Sequence, residues 1–144
     1  MELSMALVQM KGLKCRIDDI LSVTTYDEHA DLRGLHADRK DSEQLFQLRE
    51  MQNIMRRLAD IGGSIEYLFR PVLETSTLHR DENGEYRTGK GYCYRSGSLI
   101  EALLQEDPHE ALCWVQTKVE HDGEDYYLMG YEDISMEGLS VRVR

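Results

Sequence analysis

"TKVEHDGEDYYLMG", residues 117–130, sets Asp122-Gly123 between two runs of alternating apolar and polar residues. An Asp-Gly pair in that context signals a two-residue hairpin turn. With Asp122 and Gly123 at the tip, His121 faces Glu124, Glu120 faces Asp125, Val119 faces Tyr126 and Lys118 faces Tyr127. Further from the tip, Thr117 meets Leu128, Gln116 meets Met129 and Trp114 meets Tyr131. Side chains alternate between the two faces of a strand. One face then carries Cys113, Val115, Thr117 and Val119 with Tyr126, Leu128 and Gly130, which is a core face. The other carries Trp114, Gln116 and Lys118 with Tyr127, Met129 and Tyr131, and Lys118 opposite Tyr127 is a cation–π candidate. Two outcomes are open for this second face: a partner surface, or a surface covered by the first half of the chain.

The same stretch holds four clustered carboxylates, Glu120, Asp122, Glu124 and Asp125. Two carboxylates facing each other raise one pKa, as in some hydrolases. A hairpin tip is wet, however, and offers no apolar wall, so these acids read as solvated turn residues. No metal-ligand spacing accompanies them.

Outward from the hairpin, period two extends over the whole second half. Asn83-Gly84 is another hairpin signal, and "SGSLIEALLQ", "LCWVQTKVE", "DYYLMGY" and "GLSVRVR" are strand candidates. "LIEALL" is assigned to a strand because Gly97 precedes it and Asp107-Pro108 follows. The expectation is a small, partly closed SH3-like antiparallel β-barrel over residues 72–144.

The first half has a helical period. Leu3, Leu7, Met10, Leu13, Ile17, Ile20 and Leu21 give one apolar stripe, expected as a helix over about residues 3–22. Thr24 to Lys40 loses the period and reads as a connection. Asp41 with Gln44 three positions on predicts a capped helix over about residues 42–69, ended by Arg70-Pro71. Gly62-Gly63 is expected to kink it. Its stripe of Leu45, Leu48, Met55, Leu58, Ile61, Ile65 and Leu68 is widened by Met51 and Ile54. That width is consistent either with a homodimer through the second helix, with Met55 in the contact, or with a monomer whose other elements cover the stripe. The expected class is α+β: amphipathic helices in residues 1–71, then the barrel.

The chain has 144 residues and a formal net charge of -10. Residues 1–75 hold 10 basic and 13 acidic residues, net -3, and residues 76–144 hold 7 and 14, net -7. Such a balance argues against general phosphate-backbone binding. Cys15, Cys93 and Cys113 show no CxxC spacing and read as small buried apolar residues in a reduced, cytoplasmic protein. No run is long and apolar enough to span a membrane. The remaining candidate chemistry is thin. Ser96–Ser98 lacks the surroundings of a nucleophile elbow, Gly89–Gly91 is too short for a phosphate loop, and His29 and His36 amid Asp27, Asp31 and Asp38 form only a loose cluster. No catalytic residue, metal or cofactor is assigned.

Four stretches, "YLFRPVLETSTLHRDENGEY", "GYCYRSGSLIEALL", "WVQTKVEHDGEDYYLMGY" and "MEGLSVRVR", carry a resemblance. Together they make about the last 80 residues similar to an uncharacterised family of unknown function from Gram-positive bacteria, their phages and mobile elements. The resemblance implies that setting and the same small barrel, with no activity or cofactor. The leading functional expectation is a non-enzymatic protein-interaction module using Trp114, Lys118, Tyr127, Met129 and Tyr131. A second is an acidic anti-defence inhibitor that mimics nucleic acid through Glu120, Asp122, Glu124 and Asp125. A third is a nucleic-acid binder with a basic stripe of Arg80, Arg87, Lys90 and Arg95, and an enzyme ranks last.

Overall fold

In a computed structural model, residues 1–27, 32 and 34–144 are described. They form two compact units, Met1–Arg70 and Pro71–Arg144. Two helices are followed by antiparallel sheets, so the fold class is α+β. Among the described residues, no helix is long and apolar enough to cross a membrane.

In the first unit, α1 (Leu3–Val23) and α2 (Ser42–Phe69) pack against each other. The capping pair sets where α2 begins. Asp41 accepts hydrogen bonds from the backbone N–H groups of Glu43 at 2.9 Å and Gln44 at 3.1 Å. The Gln44 amide donates to the same carboxylate at 3.0 Å, and its oxygen accepts from the Asp38 N–H. Two of the donors that a helix start leaves without partners are thereby satisfied. The Gln44 and Glu43 N–H groups outweigh burial and hold the Asp41 carboxyl below its usual range. At the other end, Arg70 is extended and Pro71 follows.

The expected kink at Gly62-Gly63 is absent, because α2 runs unbroken through both glycines. Gly62 is buried, and a Cβ there would lie 3.3 Å from Ile17 Cγ2, so the missing side chain lets α1 approach. Gly63 is exposed, with open space around it. Among the described residues of this unit, Ile17, Leu32, Met55 and Ile65 are the buried hydrophobic ones. Met55 and Ile65 therefore lie inside one chain, while Ile54, Ile61 and Leu68 stay about half exposed.

The second unit contains eight strands, β1 (Glu74–Thr77), β2 (His79–Arg80), β3 (Tyr86–Arg87), β4 (Cys93–Tyr94), β5 (Leu99–Leu104), β6 (Cys113–His121), β7 (Tyr126–Leu128) and β8 (Ser140–Val143). They form two antiparallel sheets, β1-β8-β5-β6-β7 and β2-β3-β4; the pairing does not close into a cylinder. One core serves both. Tyr86 and Tyr94 from the small sheet pack with Ile100, Ala102, Leu104, Val119, Leu128 and Val141 from the large one, together with Leu78, Met136 and Leu139. Tyr86 and Tyr126 meet edge to face at 6.4 Å.

The hairpin at residues 117–130 forms with its register moved by two. His121 pairs with Tyr126, Glu120 with Tyr127 and Val119 with Leu128. The cause is Asp122. Its carboxylate accepts from the N–H groups of Glu124 at 2.8 Å and Asp125 at 2.9 Å, and its own N–H donates to the Asp125 carbonyl. This makes Asp122 the first corner of the turn rather than a central residue. Gly123, at φ 102°, and Glu124 take the centre. A slip of one would have exchanged the faces, whereas a slip of two preserves them. The Lys118–Tyr127 and Glu120–Asp125 pairs are both overturned by this shift.

Asp81 plays the same part at the turn containing Asn83-Gly84. Its carboxylate accepts from the Asn83 and Glu85 N–H groups, each at 2.9 Å, and from Arg87 Nε at 2.7 Å. The cysteines depart from expectation. Cys15 and Cys113 are exposed, and Cys93 is half-buried beside the Glu85 carboxylate at 3.4 Å. Burial, and then Glu85, push the Cys93 thiol up.

Replacing Gly63 with alanine is expected to raise stability by about 0.5–1 kcal/mol, because a helix interior prefers Ala to Gly. Gly62→Val is expected to lower it by wedging a branched side chain against Ile17. Gly123→Val is expected to cost about 1–2 kcal/mol, since a β-branched residue resists positive φ. Urea unfolding of the three variants checks all three signs.

Candidate functional site

Alternation divides the five-stranded sheet sharply. Ile100, Ala102 and Leu104 of β5, Val119 of β6 and Val141 of β8 belong to the core. The opposite face is laid out by register. Leu99 stands across from Lys118, Glu101 from Gln116 and Leu103 from Trp114. On the other side of β6, Glu120 stands across from Tyr127, and the Met129 N–H donates to the Lys118 carbonyl at 2.9 Å. On the other side of β5, Glu101 pairs with Arg142.

This face is chemically mixed in an unusual way. At its centre Glu101 is only 5% exposed, although it points away from the core. Its carboxylate accepts from Arg142 Nε and from Arg144 Nε, the latter at 2.8 Å. The Arg142 guanidinium also lies over the Trp114 ring, 4.5 Å from its centroid. A carboxylate, two guanidiniums and an indole thus form one cluster across β5, β6 and β8. Forked guanidiniums suit both contacts, since they pair with carboxylates and stack on aromatic rings. Around the cluster lie Leu99, 55% exposed, and Met129, 47% exposed, with Leu103 and Tyr127 half-buried.

Of the residues expected on this face, Trp114, Lys118, Tyr127 and Met129 are together on it. Tyr131 is not. The strand ends at Leu128. Met129 and Gly130 (φ 81°) make a turn closed by the Tyr131 N–H donating to the Leu128 carbonyl. Tyr131 packs against the core with its hydroxyl donating to Glu106 at 2.5 Å. The cation–π contact belongs to Trp114 and Arg142, while Lys118 stands between Leu99 and Met129. Sequence reading missed Glu101, Arg142 and Arg144. The signal was there, because "SVRVR" alternates and sets both arginines on the face opposite Val141 and Val143.

The acidic tip is occupied by internal contacts. Glu120 accepts from Ser96 Oγ at 2.9 Å. The Asp125 and Glu124 N–H groups hold the Asp122 carboxyl below its usual range. Asp125 accepts from the Tyr86 hydroxyl at 3.2 Å and lies 3.7 Å from Arg80. Among the described residues, the Glu124 carboxylate has no such contact. The candidate basic stripe is similarly engaged, with Arg87 on Asp81 and Glu85, Arg95 3.9 Å from Glu85, and Lys90 Nζ donating to the Leu73 carbonyl. Ser96–Ser98 and Gly89–Gly91 are turns. Ser98 Oγ accepts from the Arg95 N–H, and the Gly89 N–H donates to Ser76 Oγ. No group of three or more candidate metal ligands occurs among the described residues. His29 and Asp31 lie outside the described residues.

Residues 76–143 match the family model of a domain of unknown function (DUF5348). The match runs from β1 to the end of β8 and excludes both helices. No curated protein and no solved structure matches the chain.

Two predictions follow from this geometry. Glu101→Ala strands two guanidiniums on a largely buried site, and is expected to cost roughly 3 kcal/mol in chemical unfolding. The second concerns acid. Arg87 and the Glu85 N–H hold the Asp81 carboxyl below its usual range, as the turn N–H groups do for Asp122. A depressed folded pKa contributes stability that is complete above the unfolded value of about 3.9 and is lost as pH falls through the lower folded values. Thermal unfolding temperature is therefore expected to drop below about pH 4, with a shallower drop in Asp81→Asn.

Proposed function

We propose that the chain is a non-enzymatic, cytoplasmic protein-interaction module whose docking surface is the outer face of the five-stranded sheet. The observation that carries this reading is the grouping of Leu99, Leu103, Trp114, Tyr127 and Met129 on the side of the sheet opposite its core. Aromatic, methionine and arginine side chains are the types enriched at interface centres. Trp114 is already held by Arg142, so little side-chain freedom is lost when a partner lands on it. Lys118, set between Leu99 and Met129, favours a partner that places a carboxylate among apolar side chains.

The acidic-mimic reading is the weaker one. Three of its four carboxylates already hold the turn, Ser96, or Tyr86 with Arg80. The mobile-element or phage setting rests on the sequence resemblance alone.

The test is capture of partners by the tagged full chain from a Gram-positive bacterial host, at low and high salt, with mass spectrometry. Leu99→Glu and Met129→Glu change exposed side chains, so folding is expected to survive, as checked by circular dichroism. Each is expected to weaken capture of a specific protein about tenfold or more. Capture unchanged in both variants, or only basic partners that salt removes, would count against this surface.

A further inference from the structure

The outer side of α2 carries a second surface. Met55 and Gly62 face the interior of the helical unit. Beside them runs an exposed row: Phe46 is 56% exposed, Ile54 50% and Ile61 47%. Glu50 and Arg57 are exposed on the same side. Residues 46, 50, 54, 57 and 61 are spaced by three and four, so they fall on one helical face. Neither Glu50 nor Arg57 has an ion-pair partner among the described residues.

This row is self-complementary when read backwards. About a point midway between Asn53 and Ile54, position 46 maps onto 61, 50 onto 57, 53 onto 54 and 47 onto 60. Phe46 therefore meets an isoleucine, Glu50 an arginine, and Gln47 an aspartate. An antiparallel two-fold pairing of α2 with another α2 delivers each contact twice, which is what an isologous interface requires. A parallel pairing in register would instead set Glu50 on Glu50 and Arg57 on Arg57, repelling at both positions.

The geometry points to a second copy of this chain as the occupant of this surface. In the homodimer the α2 helices cross a two-fold axis between Asn53 and Ile54. Phe46 and Ile61 of the two copies pack at each end, and Glu50 pairs with the other copy's Arg57. The contact from residue 46 to 61 spans about 22 Å of helix. Six apolar side chains, three from each copy, lie along it. A face of this length gives a reversible dimer, so mass is expected to depend on concentration.

The test is sedimentation equilibrium of the full chain from about 1 to 100 μM. The expected mass rises from one chain towards two across that range. Glu50→Arg and Arg57→Glu, each alone, are expected to weaken the dimer at least tenfold. The double variant on one chain regenerates both ion pairs in reversed polarity and is expected to recover the wild-type dissociation constant. Ile61→Glu is expected to sediment as a monomer with unchanged helical circular dichroism. A wild-type mass of one chain throughout overturns the proposal. So does a dimer indifferent to the single charge reversals, or a double variant no better than either single.

Discussion

The carboxylate of Glu101 joins β5 to two arginines 41 and 43 residues further along the chain, on the side of the sheet that carries no core. Alternation forces it there, because Ile100 and Ala102 must face inward. A lone buried carboxylate is costly, so its place depends on Arg142 and Arg144 arriving from β8. With them in place, the Arg142 guanidinium also lies over the Trp114 ring. The order of β8, β5 and β6 in the sheet and the posture of the one tryptophan are therefore coupled. The outer face is organised by this ion cluster in the way that the inner face is organised by apolar packing.

The helical unit rests on a different constraint, which is closeness. Gly62 removes a side chain where Ile17 needs room, and burial in the pair is concentrated at Ile17, Met55 and Ile65. Among the described residues α2 packs on one other helix, and a single helix cannot cover an apolar stripe that spreads around the circumference. The wide stripe divides into an inner row that α1 covers and an outer row left in solvent. In the proposed dimer one helix thus serves both intrachain packing and assembly, with Met55 buried and Ile54, its neighbour in sequence, exposed.

Much of this was legible in the order of residues. The change of period near Pro71, the Asp41–Gln44 cap and the strand nature of "LIEALL" all reflect local rules, and the two helices, the cap and β5 follow from them. The hairpin faces were legible, but its register was not. Asp-Gly alone does not say whether the aspartate sits inside the turn or caps it, and the choice rests on where its carboxylate finds N–H donors. Gly62 was read as a weak point because a glycine's effect on its own helix is local, whereas its value to a neighbour is tertiary. The Glu101 cluster was harder still. It draws on strands separated by long stretches of chain, and pattern shows which face a side chain takes but not which strand lies alongside. Tyr131 escaped its expected face because the strand ends at Leu128 and the turn through Met129 and Gly130 breaks the alternation before it.

The pairing of β1 with β8 has a consequence for how the molecule comes to be folded. Glu74 and Val143, at opposite ends of the second unit, are neighbours, and β8 lies between β1 and β5. Nearly the whole unit must be looped before that ladder forms, and the entropy of closing the loop is lost before the contacts can compensate. The two helices meet through nearby sequence and carry no such delay. After dilution from denaturant, helical signal should return well before tryptophan fluorescence, because Trp114 reaches its final surroundings only when Arg142 is delivered by the last strand.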